Sequence, residues 1–236
     1  MFLGILAVMR RMLPSFDPRL VPQVAPGGQE PPLAAVAPQR LTAPALRQRF
    51  AHPPPWVPEL RSEPRFTERQ PAQAAVLMPV VMRERPSLIL TQRTDHLSTH
   101  SGQVALPGGR VDPEDGGVIP AALREAREEI GLDPARVEVI GTLPEYVTGT
   151  AFHVTPVVAL VEPGFALVPN PFEVADVFEV PLDYLMDPAH HRLHAMALDG
   201  HERRWYSMPY ADGQVERFIW GATAGMLRNL YRFLSA

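Results

Sequence analysis

The run from Pro107 to Leu132, PGGRVDPEDGGVIPAALREAREEIGL, constrains this chain more than any other stretch. Ile119–Ile130 predicts a helix. Pro120 sits in the first turn, where proline is tolerated, and Gly131 sits just past the end, where a left-handed residue closes helices. Ala122, Leu123, Ala126 and Ile130 make a face that can pack on a sheet. Glu125, Glu128 and Glu129 fall at i, i+3 and i+4, so they share the other side. Three anions so placed repel one another, and Arg124 and Arg127 relieve this only in part. A solvated face of a surface helix would account for them. So would a hard divalent cation, because Mg²⁺ and Mn²⁺ take carboxylate oxygens and keep waters and substrate phosphates around them.

Composition narrows what surrounds that helix. The 236 residues suit one full-sized core, or one domain plus an arm. There is no cysteine, which excludes disulfides, thiolate nucleophiles and Cys-based zinc sites. The net charge is −4, which argues against a general nucleic-acid binder. Every basic side chain is Arg, so a permanently positive contact to a phosphate must come from Arg or a metal. The opening MFLGILAVMRRML is too short to span a bilayer, and its arginines follow the apolar run instead of preceding it. Met12 is an alternative start. These features predict a cytoplasmic enzyme without membrane or nucleic-acid partners.

Residues 13–40, rich in Pro, Gly, Ala and Val, read as an arm that is mobile or wraps its own domain. An arm exchanged between copies would make a homodimer. Thr42 can cap a short helix, Ala43–Phe50, and residues 53–71 are extended. The expected division is an arm over 1–70 and a domain over 71–236. Strands are predicted at 74–82, with Pro79 marking a bulge or an edge, and at 87–91, 103–106, 136–147, 153–161 and 177–181. A hairpin over 192–198 and 203–208 turns at Asp199-Gly200. An amphipathic helix, Ile219–Phe233, closes the chain. Sheet with a few helices gives an α+β class or a three-layer sandwich.

The run Arg124-Glu125-Ala126-Arg127-Glu128-Glu129-Ile130-Gly131-Leu132 resembles the signature box of Nudix hydrolases. The box is stretched by one residue, and Asp115 stands where its first glutamate would be. That departure is shared with the coenzyme A pyrophosphatase-like branch. Its pattern is similar to Leu90-Thr91-Gln92-Arg93, His100-Ser101-Gly102-Gln103, Pro107-Gly108-Gly109-Arg110-Val111-Asp112 with Asp115, and residues 122–132 here. Ser98 stands near the place where members of the branch often carry a further Arg. The resemblance covers roughly 73–235 and residues 1–70 only weakly.

The resemblance implies a Nudix-type α/β/α sandwich with a mixed sheet. It implies metal-dependent hydrolysis of the diphosphate of a coenzyme A-type nucleotide, giving 3′,5′-ADP and 4′-phosphopantetheine or its acyl form, with Mg²⁺ or Mn²⁺ as cofactor. ADP-ribose, NADH or another nucleotide is the alternative substrate, and a silent nucleotide sensor the remaining one. Glu125 and Glu129, with Glu128 and the Gly109 carbonyl, are the implied metal ligands. Arg124 would aim a carboxylate. Asp112 and Asp115 would stiffen the loop or bind metal through water. The general base is Glu128, Glu129 or a later carboxylate, Glu173, whose alternatives are metal ligation or loop capping.

Other substrate contacts implied are Arg93, His100, Gln103, Gly108 and Gly109. Arg93 would meet the diphosphate or the 3′-phosphate, or else pair with box acids. His100 is a phosphate ligand, a proton shuttle or a turn histidine, and Gln103 a substrate contact or an edge-strand residue. His190, His191, His194 and His201 have no metal-binding spacing and are expected at the surface. Trp205, Tyr206 and Tyr210 are expected in the core.

Overall fold

The computed structural model describes residues 17–25, 33–65, 67–95, 102–198 and 201–236. Its middle strand is β1 (Ala72–Val81), an apolar run because both of its faces are covered. Ala74, Met78 and Val80 enter one core; Ala75, Leu77 and Val81 enter a second on the opposite face. This alternation is the period of two that a strand imposes. β1 runs parallel to β7 (Phe152–Val161) in unbroken register. On its other side it pairs antiparallel with β2 (Ser87–Arg93) and β4 (Gly108–Arg110). Also in this sheet are β3 (Val104–Ala105), β5 (Val137–Thr142), β6 (Tyr146–Val147) and β8 (Val174–Pro181). The order is β3-β2-β1-β7-β5, with β4 beside β1, β6 beside β7 and β8 beside β2.

The helix α2 (Val118–Ile130) buries Ala121, Ala122, Ala126 and Ile130 against Leu77, Ile89 and Val157. The other face is covered by α1 (Ala43–Ala51), α3 (Leu182–Leu185) and α4 (Gly221–Ser235). A second sheet, β9 (Arg192–Leu198), β10 (His201–Asp212) and β11 (Val215–Trp220), packs there too, in the order β11-β10-β9. The fold is α+β with a mixed sheet between helical layers, as expected.

Several local expectations change. Pro79 lies in the central strand, neither at an edge nor at a break in the parallel register. The Leu77 N–H, two residues earlier and of the same parity, points to the Pro107 carbonyl at 2.8 Å. The proline nitrogen therefore faces the gap between the β4 pairing, which ends at Val76, and the β2 pairing, which starts at Val80. No ladder bond is lost. The strand expected over 136–147 is split into β5 and β6, with Pro144 between them. The closing helix starts at Gly221, because Phe218 and Ile219 pair with Pro209 and Met208 in β11. The hairpin tip at Asp199-Gly200 lies outside the described residues; the strands flanking it pair as expected.

Residues of the arm lie on this body. Val36 and Leu41 are buried, the Val36 N–H donates to the Met186 carbonyl, and Tyr231 donates its hydroxyl to the Ala34 carbonyl. Glu59 receives Arg228 at 2.9 Å and the Tyr206 hydroxyl at 2.5 Å, while Asn229 bonds both the N–H and the carbonyl of Leu60.

The histidines need correction as well. His194 is only 2% exposed. It stacks on Trp205 and bonds Ser207 and the Val21 carbonyl, because it lies on the covered face of β9. His191 is held between the Leu185 carbonyl and the Arg228 guanidinium. Trp205 and Tyr206 are buried as expected.

Candidate active site

Gly117 precedes α2 and Gly131 closes it, with φ of +69° and its N–H returned to the Arg127 carbonyl at 3.0 Å. Between them Arg124 organises the acidic face. Its guanidinium takes Asp115 through two bonds of 2.7 and 2.9 Å, and donates to Glu125 at 2.9 Å, Glu128 at 3.1 Å and the Arg110 carbonyl at 3.1 Å. Asp115 also accepts the Asp112 N–H at 2.8 Å, closing a capping box over the 112–115 turn. The paired Arg124 holds the Asp115 carboxyl below the usual range, and Asp115 in turn raises Arg124. Arg124 thus fastens the glycine loop to the helix and aims Glu125.

Glu125 and Glu129 converge on that loop. A Cβ on Gly109 would stand 2.5 Å from the Glu125 carboxyl carbon, so any larger residue there would push that carboxylate aside. The Gly108 N–H donates to Glu129 at 3.2 Å. Glu129 is buried, at 4% exposure, which is unusual for a carboxylate. Burial pushes it up to about 7, opposed by the Gly108 bond and Arg93 and reinforced by the charges of Glu125 and Glu173. Burial also raises Glu125, against the pull of Arg124. Glu128 is turned further out, with a side chain 57% exposed.

Three more candidates gather here. Glu173, in the loop between β7 and β8, lies close enough for its charge to act on both Glu125 and Glu129. Asn170 holds it, donating to its carboxylate at 3.3 Å, while the Thr94 N–H takes its carbonyl at 3.1 Å. Arg93, where the β2–β8 register shifts, brings its guanidinium to 4.0 Å from Glu129. Its Nε is buried with no hydrogen-bond partner among the described residues. Gln103 is tied beside it, accepting the Arg93 N–H through its carbonyl at 3.0 Å. His100 and Ser98 lie outside the described residues. Asn170 and Thr94 went unnoticed in sequence. The Asn170-Pro171 turn was the available signal for the first; nothing local marked the second.

Among the described residues no three acidic or imidazole side chains form a ready-made cation cage. The donors that gather beside the glycine loop, the carboxylates of Glu125 and Glu129, are hard oxygens and few. Such a set fits Mg²⁺ or Mn²⁺, which complete their shells with waters and phosphates. A cation would also offset the burial and the mutual repulsion that raise Glu125 and Glu129.

A family model described as the NUDIX domain matches residues 71–199. The chain belongs to the Nudix family. The Uncharacterized Nudix hydrolase NudL of Citrobacter koseri is 47% identical over 159 residues, which cover 67% of this chain and 80% of that relative. Its namesake in Escherichia coli O157:H7 is 45% identical over 159 residues, with the same coverage. Among solved structures, the Nudix hydrolase RenU from M. Smegmatis shows 28% identity, 49% coverage of this chain and 72% of that one, at a TM-score of 0.40. The MutT protein from Methanosarcina mazei Go1 shows 20% identity, 51% and 83% coverage, at 0.41. The protein is a Nudix hydrolase, an enzyme of a family that acts on small-molecule nucleotides and generally uses divalent cations such as Mg²⁺ or Mn²⁺. No helix among the described residues is long and apolar enough to cross a membrane.

Proposed function

We propose that this Nudix hydrolase is a cytoplasmic enzyme that cleaves the diphosphate of coenzyme A or its acyl derivatives. The products would be 3′,5′-ADP and 4′-phosphopantetheine or its acyl form. The observation that carries this reading is the place of Arg93. The Leu90–Arg93 segment and Gln103 belong to the pattern of the coenzyme A branch, and here they wall the same site as the acidic helix, with Arg93 at 4.0 Å from Glu129.

Glu125, Glu129 and the Gly109 carbonyl would hold Mg²⁺ or Mn²⁺. The cation, when bound, neutralises charge on the diphosphate and acidifies water. Arg93, with a side chain 24% exposed, would meet a phosphate oxygen. Being beside Glu129, it serves the diphosphate under attack rather than the distant 3′-phosphate. Arg124 keeps Glu125 in place. Glu129 is assigned to the cation and Glu128 is turned outward on Arg124, which leaves Glu173 to take the proton from the attacking water.

Incubation with coenzyme A and Mn²⁺, followed by chromatography, tests this. Equal amounts of 3′,5′-ADP and 4′-phosphopantetheine are expected. Intact coenzyme A after incubation with folded protein would overturn the assignment.

A further inference from the structure

We propose that Asn170 is the positioning residue of the general base: its side-chain amide fixes the direction from which the Glu173 carboxylate meets the attacking water. The inference rests on the reading of Glu173 as that base, but not on which nucleotide is cleaved. Both residues belong to the loop between β7 and β8.

The backbone of Asn170 joins the helix that carries the acids to the start of β8. Its N–H donates to the Glu129 carbonyl at 2.8 Å, in the last turn of α2. Its carbonyl accepts the N–H groups of Glu173 at 3.1 Å and Val174 at 2.8 Å. Val168, two residues earlier, adds a second tie to the helix, with its N–H on the Ile130 carbonyl at 2.9 Å. The anchor of the Asn170 side chain is therefore fixed relative to α2.

The side-chain amide has one orientation. Its Oδ1 accepts the Phe172 N–H at 3.1 Å, an Asx turn across Pro171. Its Nδ2 then faces Glu173 and donates to Oε1 at 3.3 Å. The reverse placement would set donor against donor and oxygen against carboxylate. Glu173 is half-buried, and its charge acts on both Glu125 and Glu129. With Oε1 held, the plane of the carboxylate and the aim of Oε2 are set before substrate arrives, which is how a base is kept in line with one water. A residue needed only for the turn could equally be aspartate. Of the two, only asparagine carries a donor for a carboxylate.

The test measures kcat and KM with Mn²⁺ on whichever of coenzyme A, ADP-ribose and NADH the wild type hydrolyses fastest, with urea midpoints to show that each variant is folded. Asn170→Asp keeps the turn acceptor and removes the donor. It should lower kcat about 10- to 100-fold with little change in KM. Asn170→Ala, which loses both bonds, should fall as far. In a Glu173→Gln background, Asn170→Asp should lower kcat no further. Wild-type kcat in Asn170→Asp, with the loss confined to Asn170→Ala, would mark a turn residue and overturn the proposal. So would an undiminished loss on top of Glu173→Gln, since Asn170 would then act through α2 instead. Wild-type kcat in Glu173→Gln would remove the base and the proposal together. A lead for ADP-ribose or NADH would overturn only the substrate assignment.

Discussion

The two glycines of the site differ by one position and by what stands behind them. At Gly108 a Cβ would meet the Ala75 backbone carbonyl at 2.3 Å, and the residue has φ of +155°. Neither can yield, so Gly108→Ala should destabilise the fold by about 2 kcal/mol or more, read from urea unfolding. At Gly109 the obstacle is the tip of the Glu125 side chain. That tip can swing away, so Gly109→Ala should cost little stability but most of the activity. Glu129→Gln separates the same two quantities differently. The amide keeps an acceptor for Gly108 and removes a buried charge. Without metal the variant should melt no lower than the wild type, while turnover falls at least about a hundredfold. Wild-type turnover in that variant would remove Glu129 from the site.

At the scale of elements, α2 depends on the loop that Arg124 fastens to it. Lysine keeps the charge but cannot make the paired bonds to Asp115 while also reaching Glu125 and Glu128. Arg124→Lys should therefore lose activity nearly as fully as Arg124→Ala, with substrate saturation curves showing mainly a fall in kcat. The helix was legible in sequence because its signals are local: a first-turn proline, an apolar face at helical spacing and Gly131. β11 was not. The Asp212-Gly213 pair turns between β10 and β11, with Gly213 at φ of +60°, but the apolar run Phe218–Trp220 leads straight into the closing helix and blurs the boundary. Pro79 misled for a related reason. Whether a proline breaks a strand depends on what its nitrogen faces, which the neighbouring strands decide.

For the molecule as a whole, the arm is a working part of the packing. Arg228 is 6% exposed at its side chain, and Glu59 from the arm is its carboxylate partner at 2.9 Å. Glu59→Ala should cost about 2–4 kcal/mol, because it strands a buried guanidinium. His191 adds a pH dependence. Burial lowers it to about 4, so the unfolded chain binds its proton first as pH falls. Its contribution is intact above about pH 6.5 and is lost progressively toward pH 4, by up to about 3 kcal/mol. His191→Gln should flatten the difference between urea midpoints at pH 7 and pH 4.5; an unchanged difference would place the effect elsewhere.

Such long-range pairs explain why the candidate site was more legible than the periphery. The acids of α2 lie within five residues of one another, whereas the burial of His194 depends on Val21, and that of Arg228 on Glu59, far away in the chain. The joining of Arg93 to Glu129 is likewise a product of the sheet.

The most direct measurement is the specificity constant, kcat/KM, for coenzyme A, ADP-ribose and NADH side by side with Mn²⁺. The resemblance of the Leu90–Arg93 and Gln103 segments to the coenzyme A pyrophosphatase-like branch predicts a clear lead for coenzyme A, with turnover abolished by EDTA. ADP-ribose or NADH turned over as well as coenzyme A or better would contradict it.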